Sequence, residues 1–163
     1  NFFFNNFFKF FFFLLLISPV FGEKLYEVKE PQFLPLSAKL CLDDVKCLYL
    51  EVAKTKQERL KGLMFRKHLR WDSGMIFLLD QTKQIDIWMK NTLIPLDIIF
   101  IKDKKVMNIF INVKPCTDIN CDKFNSIYEV DKIIELNSGA VKKYKIKIGQ
   151  ILNIKMIKNQ KKM

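Results

Sequence analysis

From Leu36 to Met156 the apolar residues arrive in short runs, each closed by turn-forming residues, and no long amphipathic helix interrupts them. A chain written this way has to build its core from many small elements. Strands are expected at Leu36 to Cys41, Lys46 to Ala53, Met75 to Leu79, Ile85 to Met89, Asp97 to Ile101, Val106 to Val113, Tyr128 to Leu136 and Ile151 to Met156. In the second of these Leu48, Leu50 and Val52 alternate with Cys47, Tyr49, Glu51 and Ala53, the period-two pattern of a strand with one aliphatic face. Turns fall at Asp43-Asp44, Asp72-Ser73-Gly74, Lys102 to Lys105 and Gly149. Two short helices fit between them. Thr55 and Glu58 form a capping box ahead of Lys56 to Lys61, with Gly62 as a left-handed C-terminal cap, and Asn137-Ser138-Gly139 introduces Ala140 to Tyr144. The expectation is a mainly β fold, a small antiparallel barrel-like or sandwich domain with two short helices.

The length of 163 residues suits one domain at residues 36–157, preceded by a leader and a linker. Lys9 stands before the unbroken apolar run Phe10 to Ile17, and Pro19 and Gly22 follow. That order reads residues 1–22 as an export signal, with an uncleaved membrane anchor as the alternative. Residues 23–35, with Pro31 and Pro35, read as a linker, and residues 158–163 as a basic tail. In an exported chain four cysteines pair more often than they ligate metal, and sequence closeness favours Cys41 with Cys47 and Cys116 with Cys121. Four reduced thiols are the reading for a cytosolic chain. The net charge of +11 permits contact with an acidic membrane surface. The lysines are spread without stacking aromatics, which together with export argues against nucleic acid.

One stretch concentrates polar chemistry between two strand-like segments: Trp88-Met89-Lys90-Asn91-Thr92-Leu93-Ile94-Pro95-Leu96-Asp97. Polar groups in apolar surroundings cost free energy unless they are hydrogen-bonded or used. A candidate site gathers Arg66, Trp88, Lys90, Asn91, Thr92 and Asp97, walled by Met64, Met75 and Met89. Its cations suit an anionic oxygen, its amide and hydroxyl a polar edge, and its indole a flat ring. Two readings stand. In one, these residues bind a small anionic or polar ligand or a segment of an envelope protein. In the other, Asp97 pairs with Arg66 or Lys90, while Asn91 and Thr92 satisfy backbone groups in a tight turn before Pro95.

Enzymatic readings have less to stand on. The single histidine, His68, lies in a basic segment with no nucleophile-elbow glycines, and with paired cysteines there is no ordinary zinc set. No phosphate-cradling glycine loop appears, so no metal and no cofactor is expected. The spacing of Cys116 and Cys121 differs from that of thioredoxin-like motifs and reads as a structural staple. The one catalytic alternative is an envelope hydrolase with Asp97 and Glu135 as its acid–base pair, which requires both carboxyl groups in one cleft.

Several spaced motifs carry a family resemblance. Glu51-Val52-Ala53, Glu58-Arg59, Gly62-Leu63-Met64-Phe65-Arg66 and Gly74-Met75 are similar to the opening motifs of domain-of-unknown-function family 192. Trp88-Met89-Lys90-Asn91-Thr92 with Pro95-Leu96-Asp97, Pro115-Cys116 with Cys121, and Glu135-Leu136-Asn137 with Gly139 extend the likeness over residues 36–156. The resemblance implies a compact, mostly β domain, often exported, without an established activity. Trp71, Phe124 and Gln150 depart from the family's usual residues at their positions.

Overall fold

The computed structural model describes residues 29–43, 46–118 and 120–157. The leader, residues 23–28 of the linker, Asp44 and Val45 of the first turn, and the tail 158–163 lie outside the described residues. In chain order the elements are β1 (Leu36–Cys41), β2 (Cys47–Ala53), α1 (Lys56–Lys61), β3 (Ser73–Lys83), β4 (Asp86–Trp88), β5 (Leu96–Lys102), β6 (Lys105–Val113), β7 (Lys123–Asn125), β8 (Val130–Asn137), α2 (Ala140–Lys143) and β9 (Ile154–Met156). The protein is mainly β. Seven strands form one sheet in the order β6-β5-β8-β3-β2-β1-β9, and β4 and β7 pair as a separate two-stranded ribbon.

The sheet is not closed into a barrel, so of the two expected architectures the sandwich-like one holds. Its end strands, β6 and β9, do not pair with each other. The chain ahead of β9 instead reaches the start of β6 and the turn before it, where Leu152 N–H donates to the Lys104 carbonyl at 2.8 Å and Val106 N–H donates to the Gln150 carbonyl at 2.9 Å. Ile151, expected inside the last strand, makes only an isolated bridge to Lys105.

Nor is the sheet wholly antiparallel: β2 and β3 run parallel, Leu50 beside Gly74 and Val52 beside Ile76. A parallel pair needs a long return connection, and residues 54–72, carrying α1, supply it. Ser73 and Gly74, expected to form a turn, therefore begin β3. Gly74 is required there by close packing, since a Cβ would lie 2.4 Å from Leu136 Cδ2 and 2.6 Å from the Glu135 carbonyl oxygen.

Both faces of the sheet are covered, which explains the nearly continuous apolar run Ile98 to Ile101 of β5. One core joins Leu48, Leu50, Val52, Ile76, Ile99 and Ile134 with Val141 of α2. The other lies on the opposite face and joins Ala53, Leu63, Met75, Phe77, Ile98 and Ile133. The aliphatic face expected for β2 is thus real, but on its reverse face Glu51 and Ala53 are buried too.

α1 forms as its capping box implies. Glu58 N–H donates to Thr55 Oγ1 at 3.2 Å, and the Glu58 carboxylate accepts from Thr55 N–H at 2.8 Å and Lys54 N–H at 2.7 Å. Those amides, Thr55's first, hold the Glu58 carboxyl below its ordinary value. Gly62 ends the helix at φ 47°, ψ −132°, outside the left-handed helical region expected of it. Its missing Cβ leaves room for the Phe77 ring, which would stand 3.3 Å from one.

Candidate functional site

The stretch from Trp88 to Asp97 is held chiefly through its backbone. Trp88 ends β4, and the next residues turn sharply, Thr92 N–H donating to the Met89 carbonyl at 3.0 Å. Asn91 takes φ 57°, a left-handed conformation that asparagine tolerates better than most residues. Its N–H donates to the Cys116 carbonyl at 2.8 Å and its carbonyl accepts from Phe65 N–H at 2.8 Å. Cys116 is disulfide-bonded to Cys121, and Cys41 to Cys47. The turn is therefore fastened to a stapled loop on one side and to the end of the α1 connection on the other.

Two of the anticipated site residues are sealed away from ligand. Arg66 is 4% exposed, and its guanidinium makes a two-pronged pair with Glu51 at 2.7 and 2.6 Å. The same guanidinium donates to the Gln32 carbonyl at 2.5 Å and lies 4.6 Å from the Phe33 ring centroid. Residues read as linker are thus laid against the domain. Asp97 is fully buried and pairs with neither Arg66 nor Lys90. Its two oxygens accept from Asn112 N–H at 2.8 Å and Val141 N–H at 2.9 Å, tying the end of β6 to the first turn of α2.

The acid–base pair required for hydrolysis does not assemble. Asp97 stands opposite Leu136, and Glu135 stands opposite Ile98. Adjacent residues of a strand point to opposite faces, so the two carboxyl groups are divided by the sheet.

A cleft of about 590 Å³ opens on the Glu135 side, between α1 with the turn after it, the end of β3, and the β4–β7 ribbon. Apolar walls come from Leu60, Leu63, Phe77, Leu79, Ile87 and Trp88. Lys56, Lys61, Lys83 and Lys123 line it as well, as do Thr92 and Glu135. Arg59 is engaged with Asp80 and with the Leu78 carbonyl. Trp88 is 44% exposed. Glu135 is 6% exposed and has no hydrogen bond or ion pair with any described residue. Burial pushes its carboxyl up to about 8, so it carries a proton at neutral pH.

Of the six anticipated binding residues, Trp88 and Thr92 line this cleft, and Arg66, Lys90, Asn91 and Asp97 do not. Lys90 lies 5.3 Å from the Trp88 ring centroid as a cation over its π face. Among the expected walls Met64 lines the cleft, while Met75 and Met89 are buried in the second core. The lysines were missed because nothing local distinguishes them from a solvated surface. Glu135 did carry a signal, as a lone acid inside Ile133-Ile134-Glu135-Leu136.

The profile of DUF192, a family described as an uncharacterized ACR, matches residues 39–154. The chain belongs to the DUF192 family. Two solved structures share the fold of this DUF192 protein. One, from Sinorhizobium meliloti 1021 and provisionally described as a transcription regulator, is 30% identical with a TM-score of 0.66, covering 75% of this chain and 96% of that one. The other, a protein of unknown function from Novosphingobium aromaticivorans, is 33% identical with a TM-score of 0.63, covering 72% and 83%. No curated protein matches the DUF192 chain. Its two disulfides point to an oxidising, extracytoplasmic environment.

Proposed function

We propose that this DUF192 protein is an exported binding module that takes a small amphipathic anion into the cleft beside α1. The observation that carries the reading is Glu135, a residue only 6% exposed whose carboxyl group lines the cleft with no hydrogen-bond or ion-pair partner among the described residues. Buried polar groups are almost always satisfied, and one left open toward a cavity suits a bound molecule. The cleft volume lies in the range of small-molecule sites, and four lysines around apolar walls suit an occupant with a hydrophobic body and a negative end. Trp88 supplies the aromatic surface and Thr92 a hydroxyl. The leader-like run Phe10 to Ile17 and the paired cysteines support export.

The test uses 8-anilinonaphthalene-1-sulfonate, which joins an aromatic body to an anion. Saturable fluorescence enhancement is expected with the folded protein. Trp88→Ala and the double variant Lys83→Glu/Lys123→Glu, all at exposed positions, should each weaken binding several-fold with melting temperatures near wild type. Absence of saturable binding, or affinities that neither variant changes, overturns the reading.

A further inference from the structure

The recess brings together two kinds of charged or titratable group. Lysines from α1, β3 and β7 supply its charge, whereas Glu135 lies on β8, in the middle of the sheet between Met75 of β3 and Ile98 of β5. We propose that the Glu135 carboxyl group is the inward anchor of this site, donating a hydrogen bond to an uncharged carbonyl oxygen of a ligand whose anionic group rests among the lysines. This deepens the cleft-binding reading and rests on it.

Three observations favour a carbonyl over the other groups a carboxyl can hold. An amine would have to bring its positive charge past Lys56, Lys61, Lys83 and Lys123, which line the same space. A second anion at the floor would have to shed its water beside a carboxyl group whose own ordinary value burial already raises to about 8, so the same desolvation counts against it. An entirely apolar tip would leave the carboxyl unsatisfied, the costly outcome for a buried polar group. A neutral acceptor oxygen uses the proton of that carboxyl group without bringing a second charge into the recess. The charged groups facing the cleft are those four lysines, Arg59 with its partner Asp80, and Asp86. On the same face of the sheet the acid Glu51 stands two strands away, beyond Met75, and is held by Arg66, while Asp97 of the adjacent strand faces the other side. The register neighbours of Glu135, Met75 and Ile98, carry no charge.

A matched pair of probes separates this inference from the reading beneath it: 6-acetyl-2-naphthoate has the inner carbonyl, and 6-ethyl-2-naphthoate lacks it. At pH 6.5 calorimetry on the full chain is expected to show the acetyl compound binding about tenfold more tightly, the worth of one net hydrogen bond. Acetyl binding should fall about tenfold between pH 6.5 and pH 9 as Glu135 gives up its proton. Glu135→Gln, which keeps a donor that does not titrate, should retain the acetyl preference and lose the pH dependence. Glu135→Leu, which suits the apolar surroundings, should bind both probes equally. Equal affinities of the two probes for wild-type protein at pH 6.5, or acetyl binding indifferent to pH, overturn the inference while leaving the cleft-binding reading intact. If neither probe binds, both fall.

Discussion

Asp97 and Glu135 lie on adjacent strands, β5 and β8, yet face opposite sides of the same sheet, each standing across from an aliphatic residue of the other strand. This divides two buried acids into different tasks. Asp97 has both oxygens occupied by backbone amides and serves the fold. Glu135 has neither oxygen occupied by a described residue and opens on the cleft.

Replacing Asp97 removes the acceptor for two amides. Asp97→Ala is expected to destabilise the protein by roughly 2–6 kcal/mol, since each of the two stranded donors costs about 1–3 kcal/mol. Asp97→Asn, which keeps one acceptor oxygen, should cost about half as much. Urea denaturation checks the ranking, and an asparagine variant as stable as wild type would mean that the clamp between β6 and α2 contributes nothing.

Arg66 and Glu51 form a buried two-pronged pair, so removing either leaves the other's buried charge without its ionic partner. Arg66→Met or Glu51→Leu is expected to cost about 3–5 kcal/mol, and the double variant to recover a substantial part of that loss. It should not recover everything, because Leu34 N–H also donates to Glu51 at 2.6 Å and the Gln32 carbonyl accepts from Arg66. A double-mutant cycle with a coupling near zero would contradict the pairing.

Glu135 ties stability to pH with a definite sign. Its folded-state value of about 8 lies above its ordinary value of 4.5, so the folded chain binds the extra proton between them. Stability from this group is therefore fully present below pH 4.5 and declines as pH rises toward 8. Glu135→Gln removes the ionisation, and its advantage over wild type should grow by up to about 1.4 kcal/mol per pH unit in that window. Denaturation of both proteins at pH 5 and pH 9 measures the effect, and a constant difference would show that Glu135 titrates normally.

Much of the architecture was legible in the order of residues because it is written in local chemistry. The alternation in Leu48 to Val52 and the capping box at Thr55 and Glu58 act over a few residues, and both elements formed where expected. The departures arise from contacts distant in sequence. Ser73-Gly74 has the chemistry of a turn, but the glycine is there to let β3 approach β8. β7 was missed because Lys123-Phe124-Asn125 is short and mostly polar, and becomes a strand only against β4. The site was half visible. The Trp88 to Asp97 stretch does concentrate function-like residues, but most of them are turned to holding a loop and a helix. The lysines of the cleft come from α1, β3 and β7, which only folding brings together.

The parallel pairing of β2 with β3 obliges the chain to travel back along the sheet before it can begin the second strand, and that return path is the segment carrying α1. One flank of the recess is consequently made of obligatory connection. A variant with residues 56–64 excised would forfeit the ladder along with the hollow, whereas exchanging individual side chains on the exposed face of that path can reshape what enters without disturbing the strands below.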